Sequence, residues 1–326
     1  MKSAPHCLDG RFSTTRMLFR EPSSEIPTPD DAAHIPLCAT EERRPEGGLR
    51  TLGYTKRNVS DKPLVSVITV AFNSALRLEN TIRSVVNQTY DNVEYIVIDG
   101  GSTDGSLDII REFGGCIDYW RSEPDRGIYD AMNKGLSAAR GEWINFMNTG
   151  DAFYARESLT DTVGEFSDAL VYYSDTVFYF EEGRDCYFRN VSCDANKHQF
   201  IHQSCVYQKK LHSIHGQYLV APGVTVSDYL FFKGIPPEYW QKTQGIIAKY
   251  RVGDNISSGK RHSEQVLGVD LLFGNRSMGD MFTSYLRGSL SNGARRIRNI
   301  LLGPKANIHE DYVKVDSLEF WRSMNE

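Results

Sequence analysis

The chain has 326 residues, 40% of them hydrophobic and 24% charged, with a formal net charge of −5 at pH 7. This length suggests roughly two domains with a full core. The acidic balance argues against a nucleic-acid binder, which usually carries a basic excess over the whole domain.

In chain order, the opening MKSAPHCLDGRFSTTRM lacks the apolar core of a secretory signal. Six of the twelve prolines fall within the first 60 residues, mixed with charges as in EPSSEIPTPDD and EERRPEGG, so residues 1–60 read as an irregular extension. From Lys62 the pattern changes. LVSVITV (64–70), VEYIVID (93–99), IDYWRSE (117–123) and WINFMN (143–148) are strand-like and rich in β-branched and aromatic residues. Helical spacing separates them: Leu78, Ile82, Val85 and Val86, then Leu107, Ile110 and Phe113, then GIYDAMNKGLSAAR. Alternation of this kind predicts an α/β domain whose mostly parallel central sheet is flanked by helices. Ligands in such sheets bind outside the carboxyl ends of the strands. Beyond Asp151 the runs VYYSDTVFYF and DCYFRNV, joined by EEGR, read as a β-hairpin.

The turn DGGSTDG follows the second strand and places Asp99 at the ligand edge, with Ser102 or Thr103 to cap the next helix. Taken alone it is equally ordinary strand-to-helix turn chemistry, and it lacks the G-x-G-x-x-G spacing of a dinucleotide site. The six cysteines (Cys7, Cys38, Cys116, Cys186, Cys193, Cys205) have neither zinc-site spacing nor the density of a disulfide scaffold, so reduced thiols are expected. No run reaches the roughly 18 apolar residues of a membrane span. A cytoplasmic protein is the expectation.

The segments SVITVAFNSALRLENTIRSVVNQTYDNVEYIVIDGGSTDGS and SEPDRGIYDAMNKGLSAARGEWINFMNTGD, in this order, resemble the nucleotide-binding half of a family-2 glycosyltransferase with the GT-A fold. The likeness runs from Pro63 to Asp151 and continues more loosely through HQSCVYQKK and VSDYLFF to Ser258, in the manner of bacterial exopolysaccharide and O-antigen enzymes. It implies a nucleotide-binding half over 61–151 and an acceptor half over 152–258; beyond the reach of the likeness, residues 259–326 are expected to form a C-terminal helical region. It also implies a donor-nucleotide site at Ala71, Phe72, Asn73, Asp99, Gly101 and Arg126. Phe72 offers a stacking face, Asp99 an acceptor for the base, and Arg126 a permanent cation for phosphate. Asp125, Asp130, Asn148, His202 and Gln203 are the implied donor-sugar and acceptor residues, with loop organisation as the alternative for Asp125 and Asp130.

Family members commonly carry Asp-x-Asp-Asp at the end of the fourth strand, whereas this chain has Asn148-Thr149-Gly150-Asp151. The usual central metal-binding carboxylate is thus a glycine. Asp151 is then the expected ligand for Mg²⁺ or Mn²⁺, with Asn148 as a neutral partner; the alternative is charge compensation by Arg126 and the basic Lys260-Arg261-His262. Asp228 in VSDYLFF matches the family's catalytic base, and its apolar flank is expected to raise its pKa. Ser227 and Asp228 also suit a helix N-cap. Residues 281–309 hold Arg287, Arg295, Arg296, Arg298 and Lys305 without an acid. This pattern suits a peripheral contact with an anionic membrane surface, or a helix packed on the domain with a solvated basic face.

The expected activity is inverting transfer of a sugar from a nucleoside-diphosphate donor, of UDP type, to a saccharide or polyprenyl-linked saccharide in surface polysaccharide assembly at the inner face of the plasma membrane. No nucleic-acid partner is expected. Two rival readings are a catalytically silent nucleotide-sugar-binding module and a nicotinamide-dependent dehydrogenase. The second would need a Gly-rich fingerprint where this chain has AFNSA.

Overall fold

In a computed structural model of the chain, the described residues are 10–20, 45–182, 185–194, 200–253, 260–274 and 313–316. In chain order the elements are β1 (Phe19–Arg20), β2 (Glu46–Gly47), β3 (Tyr54–Thr55), β4 (Val65–Ala71), α1 (Ala75–Val86), β5 (Val93–Asp99) and α2 (Ser106–Glu112). There follow β6 (Tyr119–Ser122), α3 (Ile128–Ala138), β7 (Trp143–Phe146), β8 (Ala152–Phe153), α4 (Ser158–Gly164) and β9 (Val171–Tyr173). Then come β10 (Thr176–Glu182), β11 (Asp185–Val191), β12 (Cys205–Gln208), α5 (Leu211–His215), α6 (Ser227–Lys233), β13 (Trp240–Lys242), β14 (Ala248–Arg251), α7 (Lys260–Leu272) and β15 (Val313–Asp316).

The central sheet has the order β13-β9-β12-β7-β4-β5-β6-β2, and β7, β4, β5 and β6 run parallel. Every residue of β4 and β5 is buried, as in a sheet covered on both faces. The period-2 alternation of strands divides them between two cores. Val65, Val67, Val93, Tyr95 and Val97 join Leu78, Ile82 and Val85 of α1. Ile68, Val70, Ile96 and Ile98 join Met132 and Leu136 of α3 on the other face. Gly135 lets α3 press against the sheet: a Cβ there would meet Ile68 Cγ2 at 2.4 Å.

After β6 the chain returns to the far side of β4, so the sheet order reverses between β4 and β7. A crevice opens at such a switch point, outside the carboxyl ends of the two strands. The turns 71–75 and 147–151 both leave the sheet there.

Four expectations need correction. VYYSDTVFYF is not one strand: it splits at Ser174-Asp175, where Ser174 N–H turns to Ser204 O at 3.1 Å, so β9 stays in the central sheet while β10 joins a second one, of order β15-β11-β10-β14-β8. The β10–β11 hairpin itself has the expected antiparallel pairing. The boundary at 60 is crossed by structure, because β2 pairs with β6 and Leu49 is fully buried. The 259–326 region contains α7 but also β15, which pairs antiparallel with β11. Residues 281–309 lie outside the described residues. Among those described, no helix is long and apolar enough to cross a membrane. Cys116 is disulfide-bonded, unlike the reduced thiol expected, whereas Cys186, Cys193 and Cys205 are free and buried.

Candidate active site

A cleft of about 890 Å³ lies at the switch point, within the range of small-molecule sites. The end of β4, the turn after it and the first turn of α1 contribute Ala71, Phe72, Ser74 and Arg77, the turn after β7 contributes Asn148, Thr149 and Asp151, and His202, Gln203 and Asp228 close the far side.

Asp228, in the first turn of α6, sits in a chain of polar contacts. Its Oδ1 accepts from the Tyr129 hydroxyl at 2.6 Å, and its Oδ2 lies 2.7 Å from His202 Nδ1. His202 Nε2 in turn lies 3.1 Å from Asn148 Nδ2. The tautomer with hydrogen on Nδ1 satisfies both contacts of the ring. Burial alone would push the Asp228 carboxyl up, but the bonds from His202 and Tyr129 outweigh it and the carboxyl lies below its ordinary range. The raised value expected from its apolar flank is therefore corrected. Nor is Asp228 or Ser227 the N-cap, which is Val226; the Ser227 hydroxyl instead receives Leu219 N–H at 2.5 Å.

Asp151 is only 6% exposed. Its Oδ1 accepts Arg251 N–H at 2.9 Å and its Oδ2 accepts Gln203 Nε2–H at 2.5 Å. Burial pushes its carboxyl up to about 7, with those two bonds and the nearby His202 offsetting part of the cost. Asn148 Oδ1 and Gln203 Oε1 are buried acceptors with no donor among the described residues.

Asp99 stands behind the cleft. It is 0% exposed, and its oxygens accept from Gly101 N–H (3.2 Å), Ser102 N–H (2.9 Å), Ser102 Oγ–H (2.5 Å) and Ser122 Oγ–H (2.6 Å). A carboxylate so enclosed holds the turn together, in place of the contact with a base expected of it. Gly101, with φ +84, shapes that turn, and it is Gly100 that faces the cleft. Neither Ser102 nor Thr103 caps α2. Its N-cap is Gly105, and Asp104 braces the entry to the helix by accepting Ser106 N–H at 3.1 Å. Asn73 adopts φ 46 and accepts Thr103 N–H at 2.9 Å, which ties the two ligand-side turns together. Phe72 is 61% exposed at the rim, an accessible face for a planar ring.

Arg126 points away from the cleft lining, 78% exposed, and is paired to Asp130 at 2.8 Å. Asp130 also binds Lys134 at 3.2 Å. Burial would raise its carboxyl, but the Arg126 and Lys134 bonds hold it at about 2. This pair organises the loop rather than facing the cavity. Asp125 does line the cleft, bracing the loop by accepting Gly127 N–H at 2.8 Å. Sequence reasoning missed Tyr129, Arg77 and Arg251. Their only signal was their residue type, because the elements that bring them to the cleft are set by the fold.

The donor set is a poor fit for a divalent cation, offering one carboxylate and the neutral amide oxygens of Asn148 and Gln203. Position 150 offers no side chain, both oxygens of Asp151 are engaged, and the charged side chains flanking it in the cleft are arginines. Among the described residues, no three His, Cys, Asp or Glu side chains gather as a ligand set.

A Mycobacterium tuberculosis protein named an uncharacterized glycosyltransferase is 42% identical over 116 residues, covering 34% of this chain and 42% of that protein. A PGL/p-HBAD biosynthesis glycosyltransferase of Mycobacterium bovis BCG is 29% identical over 162 residues, 48% of this chain and 63% of that protein. The chain thus spans less than two thirds of either relative. The crystal structure of Staphylococcus aureus TarS residues 1–349, in complex with UDP-GlcNAc, aligns with 64% of this chain and 65% of that one at 18% identity and a TM-score of 0.51. That likeness is one of fold, and with the sheet order above it gives the expected GT-A architecture. Residues 66–220 match the sequence profile of Glycosyl transferase family 2.

Proposed function

We propose that the chain is an inverting glycosyltransferase that moves a sugar from a nucleoside-diphosphate donor to a hydroxyl of a saccharide or lipid-linked saccharide. The observation that carries this reading is the carboxylate of Asp228, held in the cleft by Tyr129 and His202 and opposite the turn after β4. A planar base stacks at Phe72. The sugar lies toward Asn148 and Gln203, whose unpartnered amide oxygens suit the O–H donors of a sugar. Asp228 takes the proton of the acceptor hydroxyl as that oxygen bonds to the anomeric carbon, and the bond to the diphosphate oxygen breaks with its electron pair leaving on the diphosphate. A carboxylate with a lowered pKa stays ionised through the neutral range, and the bond from His202 fixes the direction of its free lone pairs.

A UDP-sugar is the first donor to try, and an acceptor in surface polysaccharide assembly at the cytoplasmic face of the membrane is the setting proposed. The Mg²⁺ or Mn²⁺ expected at Asp151 is not part of the reading. A silent binding module is disfavoured by the intact Asp228–His202–Tyr129 arrangement, which binding alone does not require. The deciding experiment compares wild type with Asp228→Asn on a panel of nucleoside-diphosphate sugars, following melting temperature and release of nucleoside diphosphate in the presence of acceptor. The variant should keep ligand-induced stabilisation and lose turnover by about 100-fold or more. Equal turnover in the two proteins would remove Asp228 from the reaction.

A further inference from the structure

Gly150 occupies the position where the resemblance places a metal-holding carboxylate, and its surroundings show what stands there instead. A Cβ built on it would lie 3.6 Å from the Cδ of both Arg77 and Arg251. The two stems therefore converge on one peptide from distant parts of the chain, Arg77 from the first turn of α1 and Arg251 from the end of β14. Both line the cleft beside Thr149 and Asp151. The peptide they flank is pinned: Gly150 N–H donates to Thr81 Oγ1 at 3.0 Å, Thr81 Oγ1–H donates to Asp151 O at 2.8 Å, and the Tyr179 hydroxyl donates to Gly150 O. Arg251 is positioned further by its N–H bond to Asp151 Oδ1.

A leaving diphosphate needs compensation for its charge, which a divalent cation or guanidinium groups can supply; the guanidinium adds fork-shaped hydrogen bonds to phosphate oxygens. A divalent ion placed between two arginines would be repelled by both and would have Asp151 alone as a nearby counter-charge. We propose that Arg77 and Arg251 bind the diphosphate of the donor directly, in place of the divalent cation that the fold family implies. The inference rests on the donor reading above and assigns the substrate's charged group to two side chains. Arg251 has other contacts as well, so Arg77, half-exposed on a helix surface, gives the sharper test.

The test is calorimetric titration of the full chain, stripped of metal with EDTA, by UDP and UMP, repeated with excess Mn²⁺. Amide oxygens such as those of Asn148 and Gln203 also accept hard cations, so the metal arm is essential. UDP should bind at least about tenfold tighter than UMP without metal, and Mn²⁺ should change that preference by less than about threefold. Arg77→Gln and Arg251→Gln should each weaken UDP by about 10- to 100-fold, the loss expected for a charge-assisted bond, and weaken UMP far less. Circular dichroism and melting temperature verify that each variant is folded; if Arg251→Gln is not, Arg77→Gln decides. A UDP preference that appears only with Mn²⁺, or UDP binding unaffected by Arg77→Gln, overturns the inference and leaves the donor reading standing. If UDP, GDP, CDP, ADP and dTDP all fail to bind in both conditions, the donor reading falls and the inference with it.

Discussion

The carboxylates at 99, 151 and 228 show how far residue type alone can carry a functional reading. All three are acids at or near the switch point, yet their surroundings give them different tasks: Asp99 closes a turn, Asp151 is buried against an amide and a backbone N–H, and Asp228 faces the cavity with an ordered histidine. The strand-turn pattern placed Asp99 and the family resemblance pointed to Asp151 and Asp228, but hydrogen-bond partners from residues 102, 122, 129 and 202 separate their roles, and those partners come together only in the folded chain. For Asp151 the environment has a measurable sign. Its carboxyl titrates near 7 in the native protein and near about 4 in an unfolded chain, so the native state binds the proton more tightly. Stability therefore falls as pH rises from about 4 to about 7, by an amount on the order of 2–4 kcal/mol. In Asp151→Asn that component is absent. Urea unfolding of both proteins at pH 5 and pH 8 should show the stability difference moving in favour of the variant at the higher pH; parallel behaviour would contradict the assignment.

Among the elements, those with a clear period were legible and those defined by partnership were not. The parallel core, β4 to β7 with α1, α2 and α3, follows from runs that bury both faces or one stripe. The break between β9 and β10 has only the faint signature of Ser174-Asp175 inside an aromatic, β-branched run, and the contacts of these two residues with Ser204, Ile247 and Cys193 divert the chain. The short β2 is hidden in the same way, because a two-residue strand carries no periodicity. The turn between β5 and α2 is an element whose integrity depends on a single side chain. Asp99→Ala would leave the donors of Gly101, Ser102 and Ser122 without their acceptor. With each buried unpaired donor costing about 1–3 kcal/mol and some regaining water, a loss of about 3 kcal/mol is expected, against about 1 kcal/mol for Ser122→Ala. Thermal unfolding measures both. An Asp99→Ala protein as stable as wild type, but deficient in nucleotide binding, would restore the base-contact role to this residue.

For the whole molecule, the boundary between an extension and a domain lies further upstream than composition suggests. Glu46 and Gly47 pair with Arg121 and Trp120, Leu49 and Arg50 N–H groups donate to Ile117 O and Asp118 O at 2.9 Å, and the Arg50 guanidinium pairs with buried Glu94. A chain beginning at residue 61 would strip the outer edge of β6 and leave Glu94 without its cation. It should melt at lower temperature and self-associate through the uncovered edge, which light scattering would detect; a monomer with unchanged melting would show that residues 45–50 are dispensable. The order of these strands along the chain has one more consequence. Residues 46–50 are made before β6, so the strip that covers the sheet's rim is already in the chain when the rim forms.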